Sequence, residues 1–89
     1  MDEVARDVGN RVPKFRLGQP VVDYFGRRGV VHTVYANFAS VLNSFTVPEN
    51  WYEMQRPPPK TSKKGFWYAV VLDRGDVLVG EDDLKESLP

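Results

Sequence analysis

Apolar residues run together or alternate with polar ones in four short segments, and these patterns predict β-strands. β-Branched and aromatic residues dominate each segment, as is typical of strands. The segments span residues 21–25, 30–35, 66–72 and 77–79. The third is apolar at successive positions, so both of its faces are expected to be buried, and we expect it in the centre of a sheet.

Proline and glycine mark where these strands begin and end. Pro20 has no N–H to donate, so it fits only a strand start or an edge. Residues 26–29 form a Gly-Arg-Arg-Gly loop, and residues 73–76 form a tight hairpin in which glycine supplies a positive φ. The buried face of segment 30–35 stays open at this stage, because a bulge near Gly29 would exchange its two faces.

Residues 36–65 form a long insertion between the second and third predicted strands. Apolar residues at helical spacing predict a short helix within 36–45. They are Phe38, Val41, Leu42 and Phe45. Pro48 predicts a second helix over 48–55, which must end before the three prolines at 57–59. Residues 57–65 are predicted to be an extended, mobile, basic spacer; the alternative is a polyproline ligand for a partner's groove.

The ends of the chain complete the predicted organisation. Residues 1–13 are expected to form a flexible or weakly helical leader, and residues 14–86 a single domain. Glu81 and the two aspartates after it predict one helical turn, because acidic side chains favour a helix N-terminus. Short strands with exposed edges are protected when a sheet closes on itself. We therefore predict a small, mainly β, antiparallel barrel that carries the long insertion.

Composition excludes several classes of function. The chain has 89 residues, enough for one small core, with no cysteine and one histidine. Disulfides, thiolate zinc sites, cysteine nucleophiles and metal sites with two imidazoles are thereby excluded. The formal net charge is zero, whereas strong nucleic-acid binders are usually basic. Basic residues nevertheless concentrate in 11–28 and 53–64, and acidic residues in 73–86.

No catalytic, metal or cofactor site is predicted. His32 has no serine, threonine or carboxylate placed to complete a triad, and the three carboxylates at 81–83 diverge on a helical turn. The Gly26–Gly29 loop lacks the lysine and the long helix of a phosphate loop. No apolar run reaches the roughly 18–20 residues that span a membrane. The charged N-terminus lacks a signal peptide, so a cytoplasmic protein is expected.

The order of these features resembles the YccV-like or hemimethylated-DNA-binding domain family, of the heat-shock protein Q type. The similarity covers residues 14–85 and is weakest across 36–64. The matching positions are Phe15, Leu17, Gly18, Val21, Gly26, Gly29, Val30 and Val31, then Trp67, Tyr68, Val70, Leu72, Val79, Glu81, Asp82 and Leu84. The resemblance implies an SH3-like barrel that binds without catalysis, either to hemimethylated DNA or as an adaptor in protein quality control. The β-subunit domain of nitrile hydratase has a similar pattern.

Binding is therefore the expected function, and nine residues are the candidates for it. Aromatic side chains supply interface anchors, and arginines recognise phosphates or carboxylates. The candidates are Tyr24, Phe25, Arg27, Arg28, Trp51, Tyr52, Lys63, Lys64 and Trp67. Protein–protein interaction is the first expectation and DNA binding the second. A third, an accessory subunit docking on a metalloenzyme or redox enzyme, follows from the wider resemblance. For the aromatic pair at 67–68 two alternatives stay open: the insertion covers it with Trp51 and Met54 of the predicted helix, which is the first expectation, or it is left as a binding surface.

Overall fold

The computed structural model of the chain describes residues 11–44 and 46–87, and it confirms a mainly β, antiparallel architecture. Five strands form one sheet in the order β4-β3-β2-β1-β5. The strands are β1 (Pro20–Val22), β2 (Arg28–Tyr35), β3 (Trp67–Leu72), β4 (Gly75–Gly80) and β5 (Lys85–Glu86). The helices are α1 (Phe38–Ser44) and α2 (Trp51–Met54), and a 3₁₀ turn, Glu81–Asp83, follows β4.

The predicted closure into a barrel does not occur, because β4 and β5 remain the two end strands of the sheet. The 3₁₀ turn redirects the chain after Gly80, and the short β5 then pairs with β1, opposite Val21 and Val22. Within residues 11–44 and 46–87, β4 pairs with β3 alone. Strand β5 thus pairs with β1 at the opposite edge of the sheet from β4, and β4 remains an edge strand.

Strand β3 is an interior strand, as its unbroken apolar sequence predicts, and both faces of its first four residues are buried, whereas Val71 near its end is exposed. The strand pairs with β2 on one side and β4 on the other. Trp67 and Ala69 point to one face, Tyr68 and Val70 to the other, and all four are at most 3% exposed. We call the Tyr68 side the inner face and the Trp67 side the outer face.

A bulge in β2 decides which of its residues reach the core. Val31 pairs with Val70, and the next pair joins Thr33 to Ala69, so His32 is the extra residue. Val31 and Val34 both pack against the inner cluster although they are three residues apart. The alternation predicted for this strand therefore changes at His32, not near Gly29.

The core has two parts, one on each face of the sheet. The inner cluster contains Phe15, Val21, Val31, Tyr68, Val70, Val79 and Leu84. The outer cluster contains Tyr35, Phe38, Val41, Trp67, Ala69 and Leu78, with Val47, Trp51 and Tyr52 packed against it. The insertion supplies much of the outer cluster, so it covers the Trp67 side of the sheet. Hence both faces of β3 find an apolar cover.

One predicted helix is shorter in the structure, whereas another predicted helix and the predicted hairpin are present. The helix predicted over 48–55 begins only at Trp51, because the preceding residues form a turn in which the Trp51 N–H donates to the Pro48 carbonyl. The helix within 36–45 is present as α1, although Phe45 lies outside the described residues. The hairpin at 73–76 is confirmed, with Gly75 at φ +88°. Residues 1–10 of the predicted leader also lie outside the described residues.

Candidate functional site

The loop between β1 and β2 is a tight turn that projects two aromatic rings. The Gly26 N–H donates to the Asp23 carbonyl at 3.0 Å, and the Asp23 N–H donates to the Arg27 carbonyl at 2.9 Å. Gly26 has φ +83°, a left-handed conformation that favours glycine. Strand β1 therefore ends at Val22, and the prediction that it continues to Phe25 is wrong.

The Asp23 carboxylate is the reason that the strand ends there. Oδ1 accepts the N–H groups of Phe25 and Arg27 at 2.9 and 2.8 Å, and Oδ2 accepts Nε of Arg27 at 2.7 Å. Its side chain is 2% exposed. Aspartate in this position captures backbone donors that a strand ladder would otherwise use. The loop is consequently held by five hydrogen bonds, counting the two backbone ones.

Tyr24 and Phe25, which we call the aromatic tip, are exposed on this anchored loop. Their side chains contact edge to face, with ring centroids 5.4 Å apart, and the residues are 56% and 68% exposed. The Arg27 guanidinium lies 5.3 Å from the Phe25 ring centroid, and the Lys60 amine lies 5.5 Å from that of Tyr24. Each exposed ring thus has a cation within about 6 Å of it, the range of cation–π attraction.

A groove separates the aromatic tip from the proline segment of the insertion. Its volume is about 150 Å³, comparable with an apolar cavity that holds one benzene molecule. The residues that line it are Asp23, Tyr24, Phe25 and Arg27 of the loop after β1, which we call the first wall, Trp51 and 55–59 of the insertion, which we call the second wall, and Trp67, 77–80 and Asp83 of β3, β4 and the 3₁₀ turn. Its lining combines aromatic rings, prolines and aliphatic side chains with a few charges, which is typical of binding clefts.

The second wall of the groove is anchored at both ends, although residues 57–65 were predicted to be a mobile spacer. The Arg56 guanidinium donates to the carbonyls of Glu53 and Gln55. Beyond the prolines, the Lys60 N–H donates to the Asp83 carboxylate at 3.1 Å. The Tyr52 hydroxyl then donates to the carbonyl of the buried Thr61 at 2.8 Å. These contacts hold residues 56–61 against helix α2 and the 3₁₀ turn.

Of the two tryptophans among the candidate residues, only Trp51 faces the groove with part of its surface exposed. Trp67 is 1% exposed, and the rings of Trp51 and Tyr52 pack against it with centroids 5.9 and 5.7 Å away. Helix α2 therefore covers this side of β3, the alternative that the sequence left open. Met54 from the same helix is 58% exposed and does not take part in the cover.

The other basic candidates do not line the groove. Arg28 is exposed at the start of β2, opposite Val22. Lys63 forms an ion pair with Glu53, and its amine lies 5.1 Å from the Tyr52 ring centroid. The hydrogen bond from Lys63 lowers the pKa of the Glu53 carboxyl. Lys64 is exposed in the same part of the insertion.

The part of the chain that the structure describes contains no cluster of candidate metal ligands. No group of three acidic or histidine side chains there lies close enough to hold a metal ion. His32 is exposed, and its Nδ1 lies 2.9 Å from the hydroxyl of Thr33. In 11–44 and 46–87 no helix has the length and apolar character needed to cross a membrane.

Most of the residues that line the groove are missing from the sequence-based set of candidates, among them Asp23, the three prolines and Leu78. A signal for Asp23 is present, because aspartate three residues before glycine is typical of a type I turn. The high strand propensity of Tyr24 and Phe25 conceals it. For the prolines and Leu78 we find no local signal, because the long insertion and β4 meet only in the folded chain.

Comparisons of the chain with protein-family models, with curated proteins and with solved structures found no match. The function is therefore inferred from the aromatic tip, the groove and the charges around them.

Proposed function

We propose that the protein is a non-catalytic binding module that recognises a partner protein through the aromatic tip and the groove beside it. The observation that carries this proposal is the exposure of Tyr24 and Phe25 on a loop held by the buried Asp23 carboxylate. Exposed rings on a restrained loop bury apolar area upon binding with little loss of conformational entropy. Aromatic side chains of this kind are common anchors of protein interfaces.

The fold supports this function in a simple way. We propose that the five strands form an SH3-like arrangement, because β1 pairs with both β2 and β5, which brings the first and last strands together. The loop after β1 and the insertion leave β2 at its opposite ends, and they come together around the groove, where the Lys60 amine lies over the Tyr24 ring. Binding residues commonly lie on loops that a rigid scaffold positions.

Affinity capture from a native lysate, with wild type and variants compared by mass spectrometry, tests the proposal. We expect proteins retained by the wild type to be lost with Phe25→Ala and with Tyr24→Ala. Leu17→Ala is the matched control, because Leu17 is 67% exposed and does not line the groove. Identical capture by all four proteins would show that the aromatic tip binds no partner.

DNA binding is the second candidate, because Arg27 and Lys60 lie beside the two exposed rings and Arg28 follows in the chain. Phosphate contacts would make affinity for a DNA duplex fall steeply between roughly 50 and 200 mM salt. Arg28→Ala is the informative variant, because Arg27 also holds Asp23 in place. Binding to a hemimethylated duplex that weakens with salt and with Arg28→Ala would favour this candidate over the first.

A further inference from the structure

Resting on the proposed function, we propose that the groove recognises a short acidic peptide segment in which carboxylates flank one bulky apolar side chain. Three features define the chemistry of this occupant, namely the size of the groove, the orientation of Arg27 and the position of Lys60. Arg27 belongs to the loop that Asp23 holds in place, and the backbone of Lys60 is held by its hydrogen bond to Asp83.

The size and lining of the groove fit a single apolar side chain. A volume of about 150 Å³ accepts a benzene-sized group. Leu78 between the walls is 6% exposed, while Phe25 and Trp51 keep exposed surface on either side. A phenylalanine, leucine or methionine side chain would therefore bury apolar surface on three sides when it enters.

Arg27 presents a prepared site for a carboxylate at one side of the groove. Its Nε is fixed by Asp23 at 2.7 Å, and its guanidinium lies over the Phe25 ring. The two terminal nitrogens have no hydrogen-bond acceptor among residues 11–44 and 46–87, and the side chain is 49% exposed. A guanidinium held in this way offers its free edge for bidentate contact with a carboxylate.

The balance of charge around the groove is positive where a ligand would meet it. Arg27, Arg56 and Lys60 supply three positive charges, against the two carboxylates of Asp23 and Asp83. The Asp23 carboxylate is buried and already accepts three hydrogen bonds, so a ligand does not contact it. With Arg27 beside one ring and Lys60 beside the other, carboxylates on both sides of the apolar residue are favoured.

The same features favour a peptide over a nucleic acid. Single-stranded nucleic acids are usually bound by successive stacking platforms along a basic channel. Here two rings contact each other edge to face, and the depression next to them is closed by aliphatic residues and prolines.

Selection from a random displayed peptide library, with the full chain immobilised, tests this inference. We expect the selected peptides to share one bulky apolar residue with aspartate or glutamate on both sides. A synthetic selected peptide should bind roughly tenfold more tightly than its analogue with asparagine and glutamine in place of the acids, consistent with charge-assisted hydrogen bonds. Selected peptides without an acidic preference would overturn the inference.

Charge reversal provides a readout that loss of folding cannot imitate. Lys60→Glu should change the selected residue on one side of the apolar position from acidic to basic. Lys64→Glu is the matched control, because Lys64 is also exposed but, unlike Lys60, lies beside neither ring of the aromatic tip, and its selected peptides should stay acidic on both sides. Identical selections from both variants would contradict the placement of the peptide beside Lys60.

The outcomes separate this inference from the function on which it rests. If lysate proteins are captured through Phe25 but no acidic peptide is selected, the acidic ligand is wrong and the protein-binding function stands. If neither capture nor selection depends on Phe25, both are wrong. If a labelled oligo(dT) binds more tightly than every selected peptide and displaces a bound peptide from the groove, the occupant is a nucleic acid.

Discussion

Oδ2 of Asp23 accepts a hydrogen bond from Nε of Arg27 at 2.7 Å, and the aspartate side chain is nearly inaccessible while the arginine is half exposed. The buried partner organises the loop from within, and the exposed partner carries the charge to the surface. The Asp23–Arg27 pair thus both stabilises the loop and positions the guanidinium that a ligand would contact. Because most of the contacts of Asp23 are with backbone N–H groups, its role in folding can be separated from the role of the rings.

Asp23→Asn should lower the free energy of unfolding by about 1–3 kcal/mol, because an uncharged amide cannot serve all three donors that the carboxylate serves. Urea denaturation measures the change. Asp76→Asn, at an exposed position on β4, is the control and should stay within about 0.5 kcal/mol of wild type. Equal midpoints for the two variants would show that the loop does not depend on this carboxylate.

Trp67→Ala should lower the stability of the protein, whereas Phe25→Ala should abolish partner capture and leave stability almost unchanged. Trp67 is fully buried under Trp51 and Tyr52, so its truncation should cost about 3–5 kcal/mol. Phe25 is 68% exposed, and its truncation should change unfolding by less than about 0.5 kcal/mol while abolishing capture. Thermal and urea unfolding of both variants, beside the capture experiment, provide the test. A Phe25→Ala protein as unstable as Trp67→Ala would place Phe25 in the core.

The sequence predicts β2, β3 and β4 because their signals are local, whereas it extends β1 too far and does not predict β5. Residues 66–72 are apolar at successive positions, and the turn at 73–76 carries the glycine that its geometry requires. Both predictions depend on neighbours in the chain, and both agree with the structure. The helix cover over Trp67 follows from the same local aromatic content, because so much apolar area in a small domain needs a partner.

The groove could not be predicted from the sequence, because its walls come from segments that lie far apart in the chain. The turn at Asp23 depends on three specific hydrogen bonds that compete with the strand propensity of Tyr24 and Phe25. The sheet stays open because β5 pairs with β1 after the 3₁₀ turn, and these two strands lie far apart in the sequence, so no local pattern predicts their pairing. The bulge at His32 likewise has no local sequence signal that we can identify.

Gly80→Ala should destabilise the protein although its backbone is ordinary, because the added methyl group would overlap the side chain of Thr61. Gly80 has φ −75° and ψ 156°, which any residue adopts, so the cost of about 1–3 kcal/mol comes from the contact alone. In a Thr61→Gly background the added methyl group should cost much less. A double-mutant cycle measures this coupling.

The control for that cycle is the Thr61→Ser background. Serine keeps the Cβ and the hydroxyl that the methyl group added by Gly80→Ala would meet, so that substitution should remain costly there. The hydroxyl also keeps its role as acceptor for the Asp82 N–H at 2.8 Å. Equal costs in the glycine and serine backgrounds would contradict the proposed overlap.

Tyr68 should make the protein lose stability at alkaline pH. Burial, and next the hydrogen bond that its hydroxyl donates to the Glu81 carboxylate at 2.7 Å, raise the pKa of the phenol. The unfolded chain loses this proton from about pH 10, whereas the folded protein retains it. The contribution of Tyr68 to the free energy of unfolding is therefore complete below about pH 10 and falls as pH rises, with a slope approaching about 1.4 kcal/mol per pH unit.

Urea denaturation from neutral to alkaline pH measures this effect of Tyr68. The free energy of unfolding should fall steeply in wild type and in Tyr24→Phe, whose ring is exposed, and less steeply in Tyr68→Phe. Parallel curves for the two variants would mean that another group causes the alkaline loss.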